Sequence, residues 1–477
     1  MFNLPLLDVI GGMARVKTFF WQNTMRGWLL LTLALSVTLV RAQTADSDTV
    51  SADPSASADV AVSGTVTVND DADVAPATTL TWETCVELAT RHNPQLEAAV
   101  SNVLNADAAR LGAYSNFWPQ IRANIGGNRG WNDRGAAGTD YTNSFSAQLS
   151  LTQTIFDGFA TQAGVDRARA QLNYAFASLN SQKAATSYAL KAAFAQLLYA
   201  QRLVETNRGI LAIRQQTERL IGLRFEGGFE SKGNWLLTVA SRDQAQLDLN
   251  QAMRNREVSE RQLLTVIGKI NLPLPVRADG ELNPGTLPVK PDFDQLALQT
   301  PAYLQYQAQT EAARAGVQSA QAGWWPTISA SVSGGTGGDH FFPNDTASAS
   351  GGITVSYPIF QGGSTYFSVS AAQASLRQTL ANLRGGTNQA ALTLAQAFKS
   401  YVDAVETIPV QASQLAAAEL RYKTYEVLYN NGKATFQDFN TNTDSYVSIQ
   451  TRYLAAQRDA VIQESNWEQA RGLGSIP

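Results

Sequence analysis

One cysteine and two histidines are all the thiol and imidazole chemistry in this 477-residue sequence. A lone Cys85 excludes an intrachain disulfide and argues against a cysteine metal cluster. Neither His92, just ahead of Asn93-Pro94, nor His340, in a loop, has a Cys or carboxylate cluster at metal-ligand spacing, so no metal and no cofactor are expected. No Gly-rich phosphate loop follows a strand, which leaves no nucleotide engine and little support for an enzyme. Basic blocks are missing too. With 36 basic against 40 acidic residues and a net charge of −4, nucleic acid is not an expected partner.

Long apolar runs are equally scarce. Trp28 to Val40 is short of the about 20 residues a spanning helix needs. Arg15, Lys17 and Arg26 precede it and Val40-Arg41-Ala42 ends it, so residues 1–42 read as a cleavable export signal, with Met13 or Met25 as alternative starts. No Cys stands at the cleavage region, so a lipid anchor is not indicated. Residues 43–78, rich in Ala, Ser, Thr, Asp and Val without a helical stripe, read as a disordered leader.

What is present is a repeat. Trp118-Pro119 opens a stretch in which Ile121, Ala123 and Ile125, then Phe145, Ala147, Leu149 and Leu151, fall on alternate positions, ending at Ile155-Phe156. That is the period of strands with one greasy and one wet face. Trp325-Pro326 opens a second such pair, 207 residues on, which ends at Ile359-Phe360, offset by 204. Four such strands cannot close a barrel alone, since membrane barrels need roughly eight or more, and open edges are not tolerated in lipid. Two copies would supply eight strands, a barrel filled by its own side chains; three would supply twelve and an open lumen. The expected assembly is a homotrimer. Phe117, Trp118, Trp324 and Trp325 at the strand bases read as an aromatic belt at the membrane surface, with packing beneath the barrel as the alternative. Phe341-Phe342 and Trp131 read as a plug or as loop packing.

The rest is helical in pattern. Residues 159–226 hold no proline and would span roughly 100 Å as one helix at 1.5 Å per residue. Residues 364–431 match that length, although Pro409 and Gly385-Gly386 should bend or interrupt them. Gly227-Gly228, then Ser231 and Asn234, and in parallel Gly432, then Thr435 and Asp438, read as left-handed glycine stops followed by N-caps, with Asp438 reaching back as in a capping box. The return arms, 235–268 and 439–472, are half as long and must stack end to end on the helices that begin at Pro94 and Pro301. The domain plan is a first repeat over 79–268, a linker over 269–292 with five prolines passing outside the rod, a second repeat over 293–472 and a tail over 473–477.

On the Asn93-Pro94 helix start, the paired Trp-Pro openings, the Ile-Phe strand ends and the glycine-turn tips, repeated in fixed order, the chain resembles the TolC-like outer-membrane efflux protein family from about Leu80 to Gly472. The resemblance implies a mainly α protein with a small membrane β-barrel. Long hairpins would form a trimeric α-barrel crossing the periplasm beneath a shared twelve-stranded barrel in the outer membrane. It implies an exit duct for efflux or type I secretion, docked to a periplasmic adaptor (membrane fusion protein) and an inner-membrane transporter. Gly227, Gly228, Ser231, Gly432 and Thr435 would then be adaptor-docking tips, and Tyr429 and Asp438 would match the family's gate, with capping as the plain role of Asp438. Thr441, Ala434 and Asn234 replace two acidic residues and an Arg of that gate, so the charged latch is only partly present. Two rivals stand beside the duct: a trimeric surface adhesin, whose four-strand anchor would occur once and at the C-terminus, and a soluble periplasmic coiled-coil adaptor, which would lack both strand pairs.

Overall fold

The computed structural model describes residues 78–133, 139–269, 271, 274–343 and 345–477; the expected signal and all of the leader but Thr78 lie outside them. Thr78 is already paired: β1 (Thr78–Leu80) runs parallel to β4 (Val276–Ala278), which belongs to the expected linker. The linker therefore does not simply pass outside the rod, because Val276, Ala278 and Leu282 are buried. They pack on Cys85, Leu190, Phe194, Leu263 and Ile267.

After β1 come α1 (Trp82–His92) and α2 (Pro94–Ala113). Asn93 joins them: its Oδ1 accepts from the amides of Gln95 (2.9 Å) and Leu96 (3.1 Å), while Pro94 at the first helical position gives up an amide that had no partner anyway. The strands β2 (Gln120–Asp133) and β3 (Thr139–Phe156) lead into α3 (Ala160–Glu226), which turns into α4 (Lys232–Ile267). The second repeat follows the same order: α5 (Phe293–Ala297), α6 (Pro301–Gln321), β5 (Thr327–Gly338), β6 (Thr346–Ser356), α7 (Ser364–Asn430) and α8 (Phe436–Ala470). Among the described residues no helix is long and apolar enough to cross a membrane.

Both half-length arms stack as expected. At the end of α4, Gly268 (φ 84°) lies so close to the His92 carbonyl that a Cβ would collide with it, and Asn93 Nδ2 donates to the Val266 carbonyl at 2.7 Å. At the end of α8, Gly472 sits in the same way against Pro301, the first residue of α6. Each repeat is thus one long helix beside a stacked pair. α3 packs against α2, α4, α6 and α8, whereas α7 packs against α5, α6 and α8.

Two expectations change. Helix α7 is continuous through Pro409 and through Gly385-Gly386. A proline in a long helix removes one amide and leaves the flanking turns bonded, and the space beside Gly386 is filled by the Tyr306 ring of α6, so the glycine serves close helix approach. The last strand is shorter than its sequence counterpart: β6 stops at Ser356, and Ile359 and Phe360 stand outside it, both exposed. Pro358 has no amide to continue the ladder.

The four long strands form one antiparallel sheet in the order β2-β3-β5-β6, so the two repeats join through β3 and β5 while β2 and β6 are both edges. Opposed residues share a face. Ile121, Ala123 and Ile125 oppose Leu151, Leu149 and Ala147; Leu151 opposes Val332; and Val332, Ala330 and Ile328 oppose Gly351, Ile353 and Val355. On the other face, Arg122 and Asn124 oppose Ser150 and Gln148, Ser150 opposes Ser333, and Ser333 opposes Ser350. Nothing covers either face in the single chain, and the apolar one is bare as well: Ile125 is 86 % and Ile353 70 % exposed.

Candidate functional site

The α3–α4 and α7–α8 turns lie together at the end of the rod opposite the sheet. Gly227 ends α3 with right-handed geometry (φ −77°), and only Gly228 (φ 76°) takes the left-handed position assigned to that pair; Gly432 (φ 72°) does so at the other turn. Ser231 caps α4 by accepting from the Asn234 amide at 3.1 Å. Thr435 and Asp438 form a full capping box: Thr435 Oγ1 accepts from the Asp438 amide at 3.1 Å, and Asp438 Oδ2 accepts from the Thr435 amide at 3.3 Å and hydroxyl at 2.6 Å. Asp438 itself is exposed.

Tyr429 is only 2 % exposed, wedged between the two hairpins. Its ring stacks on Phe439 (centroids 5.2 Å, planes 7° apart) and carries the Arg224 guanidinium at 4.3 Å on its face. The same guanidinium donates to the carbonyls of Tyr429 (2.9 Å) and Asn430 (3.0 Å), the last two residues of α7. A cation from α3 thereby satisfies the orphan carbonyls and negative dipole end of α7. The Tyr429 hydroxyl donates to Glu230 Oε2 at 2.6 Å, and Asn234 Nδ2 donates to Glu230 Oε1 at 2.7 Å. Burial, reinforced by Glu230, pushes the Tyr429 hydroxyl up to about 12. Burial alone would raise Glu230, but donation from Tyr429, Asn234 and the Ser231 amide, with Arg224 nearby, outweighs it and holds the carboxyl below its ordinary value.

The structure therefore unites Tyr429 and Asn234 through Glu230 and leaves Asp438 apart, in its cap. Neither Arg224 nor Glu230 stands out in the sequence. Arg224 carries a local signal, a cation in the last turn of α3, but its partner is the end of a different helix; Glu230 carries none. Between the turns lies a groove of about 520 Å³ walled by Arg224, Phe229 and Glu230 on one side and Gly432, Thr435 and Phe436 on the other.

At the other end, Trp118, Trp324 and Trp325 are 70 %, 52 % and 53 % exposed at the strand bases, and the Trp325 ring meets Phe156 edge-on at 6.4 Å. The Phe341 ring packs on Phe145 and Phe342. The sequence reading of His340 needs correcting, since the β5–β6 loop brings ligand atoms of Asp339, His340 and Asp345 within 4.8 Å of one another, all three exposed. His92 ends α1 at the surface, and Cys85 is fully buried with its thiol pushed up to about 12 by that burial and by Glu83.

Comparison with known proteins places this geometry. The outer membrane efflux protein family profile matches residues 85–269 and 293–473, the two repeats. The outer membrane efflux protein BepC of Brucella suis is 24 % identical over 378 residues, covering 78 % of this chain and 81 % of that one. In fold, the chain is similar to the open state of the MtrE outer membrane channel of Neisseria gonorrhoeae (TM-score 0.71, 19 % identity, 86 % of this chain and 95 % of that one). It is also similar to the outer membrane protein VceC of Vibrio cholerae (TM-score 0.69, 19 % identity, 83 % and 96 %). Matched across both repeats, with a sheet that is apolar on one face and polar on the other above a long helical rod, the chain belongs to the outer membrane efflux protein family, a channel protein of the outer membrane and not an enzyme.

Proposed function

We propose that three copies of this chain close into one duct through the outer membrane and periplasm, which docks an adaptor at its tips and carries solute or polypeptide delivered by an inner-membrane transporter. The observation that carries this reading is the pair of open edges. The sheet ends at β2 on one side and β6 on the other with its apolar face bare. The rod ends in register with it, at α2 and α4 on one side and α7 on the other. Helices α3 and α7 are both 67 residues long, yet α3 buries 21 residues and α7 only five, so α7 has a long side without a neighbour. Exposed Leu392, Val410, Leu420 and Val427 on α7 and Leu104, Leu236, Leu247 and Val258 on α2 and α4 supply apolar surface to both flanks. Unlike flanks that fit each other generate a ring by rotation, and three copies give the twelve strands that leave a lumen. The adhesin and adaptor readings lose ground, because the strand pair occurs twice within the chain and the family is one of outer-membrane channels.

In this duct Gly227 to Ser231 and Gly432 to Thr435 are the points farthest from the membrane and meet an adaptor first. Tyr429 and Asn234, held through Glu230, keep the two hairpins of a copy together at the mouth, and Asp438 faces it beside its capping role. The exposed Trp118, Trp324 and Trp325 lie at the membrane surface, where an apolar ring with a polar edge is favoured. Residues 1–42 direct export. The assembly is tested by the mass of the protein in mild detergent, expected at about three times the 51.4 kDa chain mass less the signal. A stable monomer inserted in bilayers would overturn it.

A further inference from the structure

We propose that Arg122 sets the charge preference of the barrel lumen, its three copies forming a cationic ring that favours anionic solutes at the inner end of the barrel. The inference rests on the shared-barrel reading above, which makes the polar face of the sheet the lumen wall. Pairing puts Arg122 on that face, opposite Ser150, in a cross-strand row that continues to Ser333 and Ser350. The rest of the row is neutral, and Ser333 and Ser350 satisfy each other by a hydroxyl contact of 2.9 Å.

Among the described residues no carboxylate pairs with the Arg122 guanidinium. Its neighbours on the face are Gln120 and Asn124 along β2 and Gln148, Ser150 and Thr152 on β3. Beyond the β2 edge stands β6 of the next copy, whose residues on this face are Thr346, Ser348, Ser350, Gly352, Thr354 and Ser356. None is acidic. The first acids outward flank the β5–β6 loop, Asp339 six residues beyond Ser333 and Asp345 five residues from Ser350, roughly 17 to 20 Å from the row at about 3.4 Å per residue; on β2 and β3 they are Asp133 and Asp140, roughly 35 Å away. The first acid inward, one residue past the end of β3, is Asp157, whose carboxylate accepts from the Thr161 amide at 2.8 Å at the start of α3.

The internal repeat supplies a control written into the chain. The residue 207 positions on, at the same place after its Trp-Pro opening, is Ser329, on the same face of β5. The fold therefore does not need a charge at this position. A single Arg per chain, three per ring, placed in a low-dielectric wall otherwise lined by hydroxyls and amides, focuses a positive potential across the entry to the barrel.

The test is the reversal potential of purified trimers in planar bilayers under a KCl gradient, for the wild-type protein, Arg122→Gln, Arg122→Glu and Ser329→Arg. Arg122→Gln should lower the chloride-to-potassium permeability ratio, Arg122→Glu should lower it further, and Ser329→Arg, adding a second ring, should raise it. The changes should be on the order of a few-fold near about 0.1 M salt and shrink toward about 1 M, where the screening length falls from about 10 Å to about 3 Å. Should Arg122→Glu fail to insert, Arg122→Gln and Ser329→Arg carry the comparison. Conducting Arg122→Gln and Ser329→Arg channels with the wild-type ratio overturn the assignment and leave the duct standing. A wild-type protein that forms no conducting channel defeats the duct reading and this assignment with it.

Discussion

Adjacent residues on β3 should respond oppositely to the same charge. Leu149 lies on the apolar face between Ala123 and Gly334, and Gln148 lies on the polar face between Asn124 and Gly335. Leu149 is seven residues above the inner end of β3 at Phe156 and 57 % exposed in the single chain. At about 3.4 Å per residue and about 40° of tilt, that places it roughly 18 Å up a lipid-facing band about 25 Å tall. A lysine or arginine on the lipid side costs about 2 to 4 kcal/mol at the midplane and about 0 to 1 near the interfaces, so at this intermediate depth roughly 1 to 2.5 kcal/mol. Three copies in one barrel multiply this to roughly 3 to 8 kcal/mol per trimer. Leu149→Arg should therefore deplete trimer from the outer-membrane fraction, read as heat-modifiable bands on gels. Gln148→Arg, on the wet side, should give trimer at near wild-type yield. Equal loss from both would mean that the sheet has no lipid face in this register, and the shared-barrel argument would fail with it.

Other consequences concern the tips. Gly432→Val meets no atom within 4 Å of its added Cβ, so its cost is strain at φ 72°, about 1 kcal/mol or more; trimers should persist while export falls, and full export by this variant would show that the tip is not a docking point. Asp438→Ala removes a capping box, typically worth about 1 kcal/mol. It should also shift selectivity in planar bilayers away from cations; lower stability at an unchanged permeability ratio would leave the cap and remove the pore-ring role. Tyr429→Phe and Glu230→Gln should each loosen the contact between the hairpins, by about 1.5 to 3 kcal/mol for a hydrogen bond to a charged group, and the double variant should be little worse than either single one. Fully additive losses would mean that the 2.6 Å contact does not couple them. Because the Glu230 carboxyl is held below its ordinary value, its contribution is present above the usual carboxylate range and lost as pH falls through the lowered folded value. The wild-type tip should thus be insensitive to pH near neutrality and loosen only in strong acid, whereas Glu230→Gln should lack that acid transition.

Several elements could be read from the chain because their causes are local. Alternation marks β2, β3 and β5 whatever they pair with, since side chains of a strand point to opposite faces in turn. Asn93-Pro94, Ser231 and Thr435 fix helix starts through groups within three residues of themselves. Gly228 and Gly432 fix helix ends through their own backbone conformation. Repetition of these signals at a fixed offset gave the two hairpins and the need to share a barrel, and the family likeness rested on the same signals.

What the sequence could not supply depended on groups distant along the chain. That β3 joins β5, so that the repeats make one sheet with β2 and β6 as its edges, is a choice among pairings that alternation treats alike. That Gly385-Gly386 does not interrupt α7 depends on the Tyr306 ring, 80 residues away. The linker looked external because its prolines are local information, whereas the burial of Val276 and Leu282 is set by α1, α3 and α4 closing over them. At the tips the turns were legible, but the network was not. Arg224, Glu230 and Tyr429 meet only because two hairpins some 200 residues apart fold to the same length and bring their ends to one level. A hydrogen bond is decided by ångströms, and only the tertiary fold sets distances on that scale between residues so far apart in the chain.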